Sequence, residues 1–405
     1  DAYAYTRSIT GDNANASRVD TLIYPEGRFD PVIASVVKDN SFSAGIRGDV
    51  KGWDVDLNNT FGNNMMHYYG RNTLNASMGI NSPTEFDDGG FGLVQNTTSL
   101  DFTRMYDGFA KGLNVAFGAE YRVDNYTIFA GEDASWANYG ELYIGEVDTI
   151  PGIDTIVRPS GAQGFPGFQP GDETNEYRTN IGVYIDLEAD LTDAFAVSLA
   201  ARFEDYSDFG NTVTGKFAFR YAFNKNFALR GSASTGFRAP SLAQVYFSST
   251  YTNVESGVII DEVIADNKSV ITRSLGIPSL KEETSLNASI GVTAKPILGL
   301  SLTLDAYYVA IDNRIVLTDG FGTDDDVIGS VLEDLNVGSA RFFTNAVSTT
   351  SQGLDAIISY RMYLDKNTLT LTYAGNFNNM TIDSVYTNEL LAGKEQSYFS
   401  DRERQ

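Results

Sequence analysis

The sequence of 405 residues contains no cysteine and only one histidine, His67. Without cysteine, the chain can form neither a disulfide scaffold nor a thiolate metal site. With one histidine, a histidine metal cluster is excluded and a Ser-His-Asp triad is disfavoured. No uninterrupted apolar run reaches the roughly 18 residues that a membrane-spanning helix needs. The sequence therefore predicts no catalytic residues, no metal ligands and no cofactor.

Positive charge is also scarce, with 29 Lys+Arg against 53 Asp+Glu and a net charge of −24. Such a surface repels phosphates, which excludes nucleic acid as a partner. Much of the acidic excess lies in segments between the predicted strands, such as residues 131–176. The run Asp324-Asp325-Asp326 matches no defined Ca²⁺ loop, so we interpret it as a solvated loop rather than a cation site.

Aromatic residues are abundant, with 23 Tyr and 25 Phe, and they recur with a period of two. In residues 216–223, Phe217, Phe219, Tyr221 and Phe223 alternate with Lys216, Ala218, Arg220 and Ala222. Similar alternation occurs in residues 113–129, 181–189, 195–204, 300–308 and 368–377. Alternation of apolar and polar residues is typical of β-strands with one apolar face. The sequence therefore predicts an all-β fold.

The predicted strands number about thirteen, and most have ten or more residues, which is longer than ordinary soluble strands. Short turns and long connections alternate strictly, the long ones being roughly 10–40, 63–90, 131–175, 238–283, 313–341 and one from about 380. This pattern is typical of a transmembrane antiparallel up-and-down β-barrel, with short periplasmic turns and long extracellular loops. A soluble sandwich or propeller also alternates. However, the charges on the polar faces are too many for a packed core. We expect Phe217, Phe219 and Tyr221 to face lipid, and Lys216 and Arg220 to face the concave side.

One heptapeptide ends a long strand: Gly236-Phe237-Arg238-Ala239-Pro240-Ser241-Leu242. Gly236 permits a bulge and Pro240 cannot donate to a strand ladder. The heptapeptide resembles the strand-to-loop motif of TonB-dependent outer-membrane receptors. The resemblance covers nearly the whole chain and is closest to Bacteroidetes-type receptors. Its further stretches are 118–122, 202–210, 280–285 with Glu282 in place of the usual Pro, Asn345-Ala346, and Gly353-Leu354-Asp355.

The resemblance implies TonB-dependent import of a scarce nutrient across the outer membrane of a Gram-negative bacterium. The nutrient would be a ferric siderophore, haem, cobalamin or a glycan. The family has an N-terminal plug domain and a barrel of 22 strands. We therefore expect residues 1–405 to be a part of one such barrel, cut at both ends, without the plug and the C-terminal strands. Its implied partners are outer-membrane lipid and lipopolysaccharide, the substrate, and the TonB complex, which acts through the missing plug.

Two other functions remain open at this point. A passive porin or solute channel would need no plug, although the heptapeptide disfavours it. An outer-membrane enzyme is disfavoured because only His67 could serve a catalytic serine. Candidate ligand contacts are aromatic residues of the 131–175 loop and the arginine of the heptapeptide: Trp136, Tyr139, Tyr143, Phe165, Phe168 and Arg238. For each aromatic residue, packing within the loop is the competing interpretation. His67 is a weaker candidate for contact with a metal complex.

Overall fold

The computed structural model describes residues 5–6, 23–24, 29–139, 160–255, 258–325, 328–334, 337–388, 392–393 and 395. Within these ranges, none of the helices combines the length and the apolar composition that a membrane crossing requires. Tyr143 and Asp326, which the sequence singles out, lie outside the described residues.

The fold is built almost entirely from β-strands, as the alternation predicts. In chain order the strands are β1 Tyr5–Thr6, β2 Val32–Val50, β3 Trp53–Arg71, β4 Glu85–Tyr106, β5 Leu113–Phe129, β6 Thr174–Asp190, β7 Phe195–Tyr206, β8 Gly210–Asn224, β9 Phe227–Arg238, β10 Ser249–Glu255, β11 Val258–Ala265, β12 Glu283–Ala294, β13 Leu300–Leu317, β14 Phe321–Gly322, β15 Ser339–Leu364 and β16 Asn367–Val385. The short α-helices are α1 Asp133–Trp136, α2 Leu242–Tyr246, α3 Val270–Ser274 and α4 Gly329–Asp334, and 3-10 helices span Ala76–Asn81 and Pro170–Asp172.

Twelve of the described strands are long, with 12 to 26 residues, and each pairs antiparallel with the next long strand along the chain. The order runs from β2 to β9 and then through β12, β13, β15 and β16. The expected up-and-down barrel wall is thereby confirmed. Within the described residues the sheet is open, since β16 pairs with β15 and not with β2.

The connections are short at one end of the sheet and long at the other. The long ones are residues 72–84, 130–173, 239–282 and 318–338. The prediction that short and long connections alternate strictly is wrong at one place. There, only residues 207–209 join β7 to β8 at the end of the sheet where the other connections are long. The predicted loop 63–90 is also too wide, since β3 continues to Arg71 and β4 begins at Glu85. There the ladder continues through polar and glycine-rich sequence, which obscures the apolar alternation.

The register of β8 separates its two faces as predicted. Phe217 lies opposite Leu199 and Ala233, whereas Lys216 lies opposite Ala200 and Ser234. Phe217 is 44% exposed and Leu199 is 53% exposed. Large exposed side chains continue along this apolar face on most of the long strands. Exposed apolar side chains on a strand face are what contact with lipid requires.

Side chains on the opposite, polar face reach across intervening strands. Tyr184 of β6 donates its hydroxyl proton to Asp101 of β4 at 2.6 Å, across Gly118 of β5. Three further glycines, Gly182, Gly291 and Gly353, lie beneath side-chain hydrogen bonds of the same kind. The bonded pairs are Glu120 and Arg202 over Gly182, Asp305 and Arg230 over Gly291, and Tyr307 and Asn376 over Gly353. A side chain added to these glycines would collide with the bridging groups. Because side chains on this face reach one another across an intervening strand, the polar face is the concave side of the sheet. We call it the lumen wall.

Candidate functional site

The long loops fold onto the outer end of the lumen wall and form the candidate functional site. The first loop unit combines residues 72–84 with 130–139 and 160–173. Asn75, which is fully buried, donates from its side-chain amide to the carbonyls of Ala134 at 2.8 Å and Ala137 at 3.0 Å. Thr73 donates to the carbonyl of Gln163 at 2.7 Å, and the Gln163 amide donates to the carbonyl of Leu74. Because these bonds join segments distant in sequence, the first loop unit has one defined packing.

A buried acid lies beneath the first loop unit. Asp88 occupies the bulge of β4 and has no exposed surface, and its carboxyl lies against the backbone of Gly70. Its backbone carbonyl accepts from the Phe168 amide at 2.9 Å, which ties the loop to the strand. Burial, together with the neighbouring Asp87 and Glu132, raises the pKa of Asp88 to about 8. Asp88 lies 18 residues, or about 60 Å along the strand, from Tyr106 at the short-turn end of β4. A membrane crossing takes about 9–11 residues, so Asp88 lies beyond the bilayer.

An aromatic cluster fills the space between the first loop unit and the start of the 239–282 connection. We call this space, at the outer end of the lumen wall, the mouth. Phe168 is 2% exposed and packs with Tyr126, Ile128 and Leu242, which are also buried. Tyr68, Phe91 and Phe247 pack against them and are partly exposed. Phe165 reaches the edge of the cluster, with its ring 5.3 Å from that of Tyr68. The cluster fixes the loops over the lumen wall and leaves Tyr68 and Phe165 partly open to a ligand.

The structure places the predicted contact residues in different surroundings. Tyr139 is 49% exposed, whereas Phe168 is buried in the cluster. Trp136 is partly exposed, and its indole N–H is buried without a described acceptor. Arg238 donates two hydrogen bonds to Glu283, one of them at 2.8 Å, while half of its side chain remains exposed. Of these side chains, Phe165 and Phe168 lie together, with ring centroids 6.4 Å apart.

The second loop unit combines residues 258–282, 318–334 and 337–347 as far as they are described. Its sheet joins β11 in parallel and β14 in antiparallel orientation to the start of β15. Its core contains Leu275 and Ile277 from the earlier segment and Ile328 and Leu332 from the later one. Asn267, 1% exposed, donates to the carbonyls of Pro278 and Phe343 at 3.2 Å each. Two long loops are therefore packed into one body.

The family-like stretches of the sequence meet at the base of this second unit. Arg238 pairs with Glu283, whose carboxylate also accepts from the Ile315 amide at 2.8 Å. Asn345 accepts from the Lys281 amide at 2.8 Å and donates to the carbonyls of Lys281 and Asn313. These bonds anchor both ends of the 239–282 connection to the strands beside it.

The heptapeptide itself turns the chain from the wall into the mouth. The Pro240 carbonyl accepts from Arg178 of β6 at 2.7 Å. Ser241 caps α2 by accepting from the Gln244 amide, and Leu242 enters the aromatic cluster. Sequence reasoning missed Arg178 as a partner, because only the register of β6 reveals that it faces the lumen.

His67 does not lie among possible metal ligands. It bonds to Asp87 Oδ1 at 2.7 Å and stacks on Tyr69 with ring centroids 4.5 Å apart. Throughout the part of the chain that the structure describes, His, Cys, Asp and Glu side chains form no group of three suited to a metal ion.

Comparison with known proteins agrees with this architecture. The siderophore receptor PirA from Acinetobacter baumannii superposes with a TM-score of 0.53 at 13% identity, covering 86% of this chain and 49% of that one. The FrpB iron transporter from Neisseria meningitidis gives 0.53 at 12% identity, covering 90% and 47%. The RagAB peptide transporter gives 0.54 at 12% identity, covering 89% and 37%. At these identities the likeness shows the fold, and the chain spans about half of the length of these proteins or less.

No curated protein matches the chain. The sequence does match the family described as "TonB dependent receptor-like, beta-barrel" over residues 1–400. The chain therefore belongs to the TonB-dependent receptor β-barrel family of Gram-negative outer-membrane proteins.

Proposed function

We propose that the protein containing this chain imports a scarce nutrient across the outer membrane by TonB-dependent active transport. This chain supplies part of the barrel wall and the loops that face the ligand. The observation that carries the proposal is the mouth itself, where two prefolded loop units stand over a polar lumen wall. Family-like residues, including Arg238 and Asn345, anchor the second unit there.

The proposed cargo is one of the family's substrates, namely a ferric siderophore, haem, cobalamin or a glycan. The proteins of similar fold include a siderophore receptor, an iron transporter and a peptide transporter. Within the mouth, we assign direct ligand contact to Trp136, Tyr139 and Phe165, which are at least partly exposed. Phe168 supports Phe165 from below, and Arg238 acts mainly by holding the loop base.

Residues 1–405 act, in this proposal, as one portion of a single larger barrel. The TonB complex works through a plug domain that lies outside this sequence, and lipid and lipopolysaccharide surround the apolar face. The chain's role is transport rather than catalysis. A polar wall beneath folded loops supports passage of a solute.

Uptake in living cells tests the proposal. A strain that lacks the receptor gene should lose high-affinity uptake of one nutrient among iron complexes, cobalamin and glycans. The intact gene should restore that uptake only when TonB is functional and the inner membrane is energised. Uptake that persists without TonB would contradict the proposal and favour the passive porin.

A further inference from the structure

The lipid-facing side of the sheet carries one charged side chain near the short turns. Arg104 of β4 lies opposite Val115, in the row that the registers of β5 to β8 connect to Phe217. A membrane crossing takes about 9–11 residues of each strand. Over that length from the short turns, no other outward position of the twelve long strands holds Asp, Glu, Lys or Arg, within the part of the chain that the structure describes. Arg104 is therefore an exception on an otherwise uncharged surface.

The residues around Arg104 place it at the level of the lipid headgroups. Tyr106 is the last residue of β4 and Trp53 is the first of β3. The Trp53 ring lies 6.3 Å from that of Tyr106 and 5.2 Å from that of Phe117, edge to face in both cases. Trp and Tyr concentrate where lipid meets water, and the short turns of such barrels face the periplasm. Arg104 therefore lies in the periplasmic leaflet, which consists of phospholipids, whereas lipopolysaccharide fills the opposite leaflet.

The guanidinium of Arg104 is held in place by its own strand and by the turn between β2 and β3. Its Cζ atom lies 4.8 Å from the ring centre of Tyr106 and 5.9 Å from that of Trp53. Its Nη1 donates to the Lys51 carbonyl at 3.4 Å, and the group lies over Gly52. Among the described residues, Nε and Nη2 have no hydrogen-bond acceptor. A positioned guanidinium with free N–H groups is prepared to bind an anion at little cost in side-chain entropy.

No carboxylate of the described residues neutralises Arg104. On the lumen wall near the same turn, by contrast, Arg47 forms an ion pair with Asp54. Asp49 lies close in sequence, but its register opposite Asp54 places it on the lumen side. There it caps the turn by accepting from the Gly52 amide at 3.2 Å. The partner of Arg104 must therefore come from outside this part of the chain.

The charges around the guanidinium select an anionic headgroup. The planar fork of an arginine matches two oxygens of a phosphate group. Lys51, which is exposed in the adjacent turn, adds a second positive charge. Asp107, which follows β4, lines a groove on the lumen side and is directed away from lipid. The positively charged amine of a zwitterionic lipid would therefore meet two like charges, whereas the headgroup of an anionic lipid would not.

We propose that Arg104, Lys51, Trp53 and Tyr106 form a binding site for the phosphodiester group of an anionic phospholipid in the periplasmic leaflet. Arg104 binds the phosphate oxygens, and the two rings hold the guanidinium at the level of the headgroup. The acyl chains lie along the apolar row below, where Phe102 stacks on Phe117 at 5.0 Å. Because the site is on the outside of the barrel, it is separate from the path of the imported nutrient and ties the β2–β4 wall to one leaflet.

Native mass spectrometry of the purified complete receptor tests the site. The receptor is titrated with phosphatidylglycerol and with phosphatidylethanolamine that carries identical acyl chains. Arg104→Gln removes the charge from the site, and Arg104→Lys keeps the charge without the planar fork. Arg47→Gln is the matched control, because it removes the same charge at the same end of the sheet but on the lumen side. Glycerol phosphate serves as a soluble competitor that has the phosphate group and no acyl chains.

The wild-type receptor should bind its first phosphatidylglycerol more tightly than its first phosphatidylethanolamine. Arg104→Gln should weaken the phosphatidylglycerol by about ten-fold or more, as expected for a lost charge-assisted hydrogen bond, and Arg104→Lys should fall between. Arg47→Gln should bind like wild type. The proposal is overturned if wild type binds both lipids equally, if Arg104→Gln retains wild-type affinity, or if Arg47→Gln weakens binding as much. Displacement of the lipid by glycerol phosphate at equal concentration would indicate a site for free phosphate and would also overturn it.

Discussion

The buried carboxyl of Asp88 should make docking of the first loop unit depend on pH. Its carboxyl lies against Gly70, whose backbone amide donates to it, and the charged groups acting on it are Asp87 and Glu132. Burial, reinforced by those two carboxylates, raises its pKa from 3.8 to about 8. The docked state therefore keeps a proton that the undocked state releases above about pH 4.

The sign and size follow from this difference in proton binding. Docking is most favourable below about pH 4, weakens as pH rises, and stops changing above about pH 8. One pKa unit corresponds to about 1.4 kcal/mol, so the free energy of docking weakens by about 4 kcal/mol between pH 5 and pH 8. Asp88→Asn keeps the side-chain shape and removes the ionisation, so its docking should not vary over this range.

Hydrogen–deuterium exchange of backbone amides in residues 131–137 and 161–168 measures the docking. After correction for intrinsic exchange, wild-type protection should fall several hundred-fold from pH 5 to pH 8. Asp88→Asn should stay protected at both values. Asp133→Asn, at an exposed position of the same loop, should behave like wild type. Equal pH dependence in wild type and Asp88→Asn, or wild-type protection that rises with pH, would contradict this role of the Asp88 carboxyl.

Three further substitutions test other parts of the fold. Gly118→Ala should destabilise the barrel by about 2–4 kcal/mol in urea unfolding from lipid vesicles, because the added methyl group displaces the Tyr184–Asp101 bridge. Gly48→Ala, where an added Cβ meets no atom within 4 Å, is the control, and an equal effect there would contradict the prediction. Phe217→Lys should cost about 2–4 kcal/mol in the same assay, whereas Ala218→Lys on the lumen wall should cost less than about 1 kcal/mol. Asn345→Ala removes three hydrogen bonds to Lys281 and Asn313, and should speed deuterium exchange in residues 275–282 without changing exchange in 131–137.

The wall of the barrel was largely predictable from the sequence, since lipid on one side and water on the other impose strict alternation. The pattern around Phe217 identifies both faces of β8, and the register agrees. Where that constraint weakens, prediction weakens as well. Residues 63–71 continue β3, but their paired Asn, Met and Tyr residues do not alternate between apolar and polar. Three residues at 207–209 suffice for a turn at the long-loop end.

The mouth was predictable only in part. The heptapeptide marks the correct place, but its partners Arg178 and Glu283 come from other strands and are known only from the register. Asn75 bonds to residues 59 and 62 positions away, which no local pattern can indicate. Phe168 illustrates a general ambiguity, because an aromatic residue in a loop has the same sequence signature whether it packs inside or contacts a ligand.

This chain forms a wall with one face in lipid and the other in water. Because the sequence lacks cysteine, single cysteines at positions 216 to 221 can carry spin labels without removal of native thiols. In the membrane-inserted receptor, labels at 217, 219 and 221 should be relaxed by dissolved oxygen, which concentrates in lipid. Labels at 216, 218 and 220 should respond to a water-soluble nickel complex. A profile without alternation, or one with the two sets exchanged, would contradict the account.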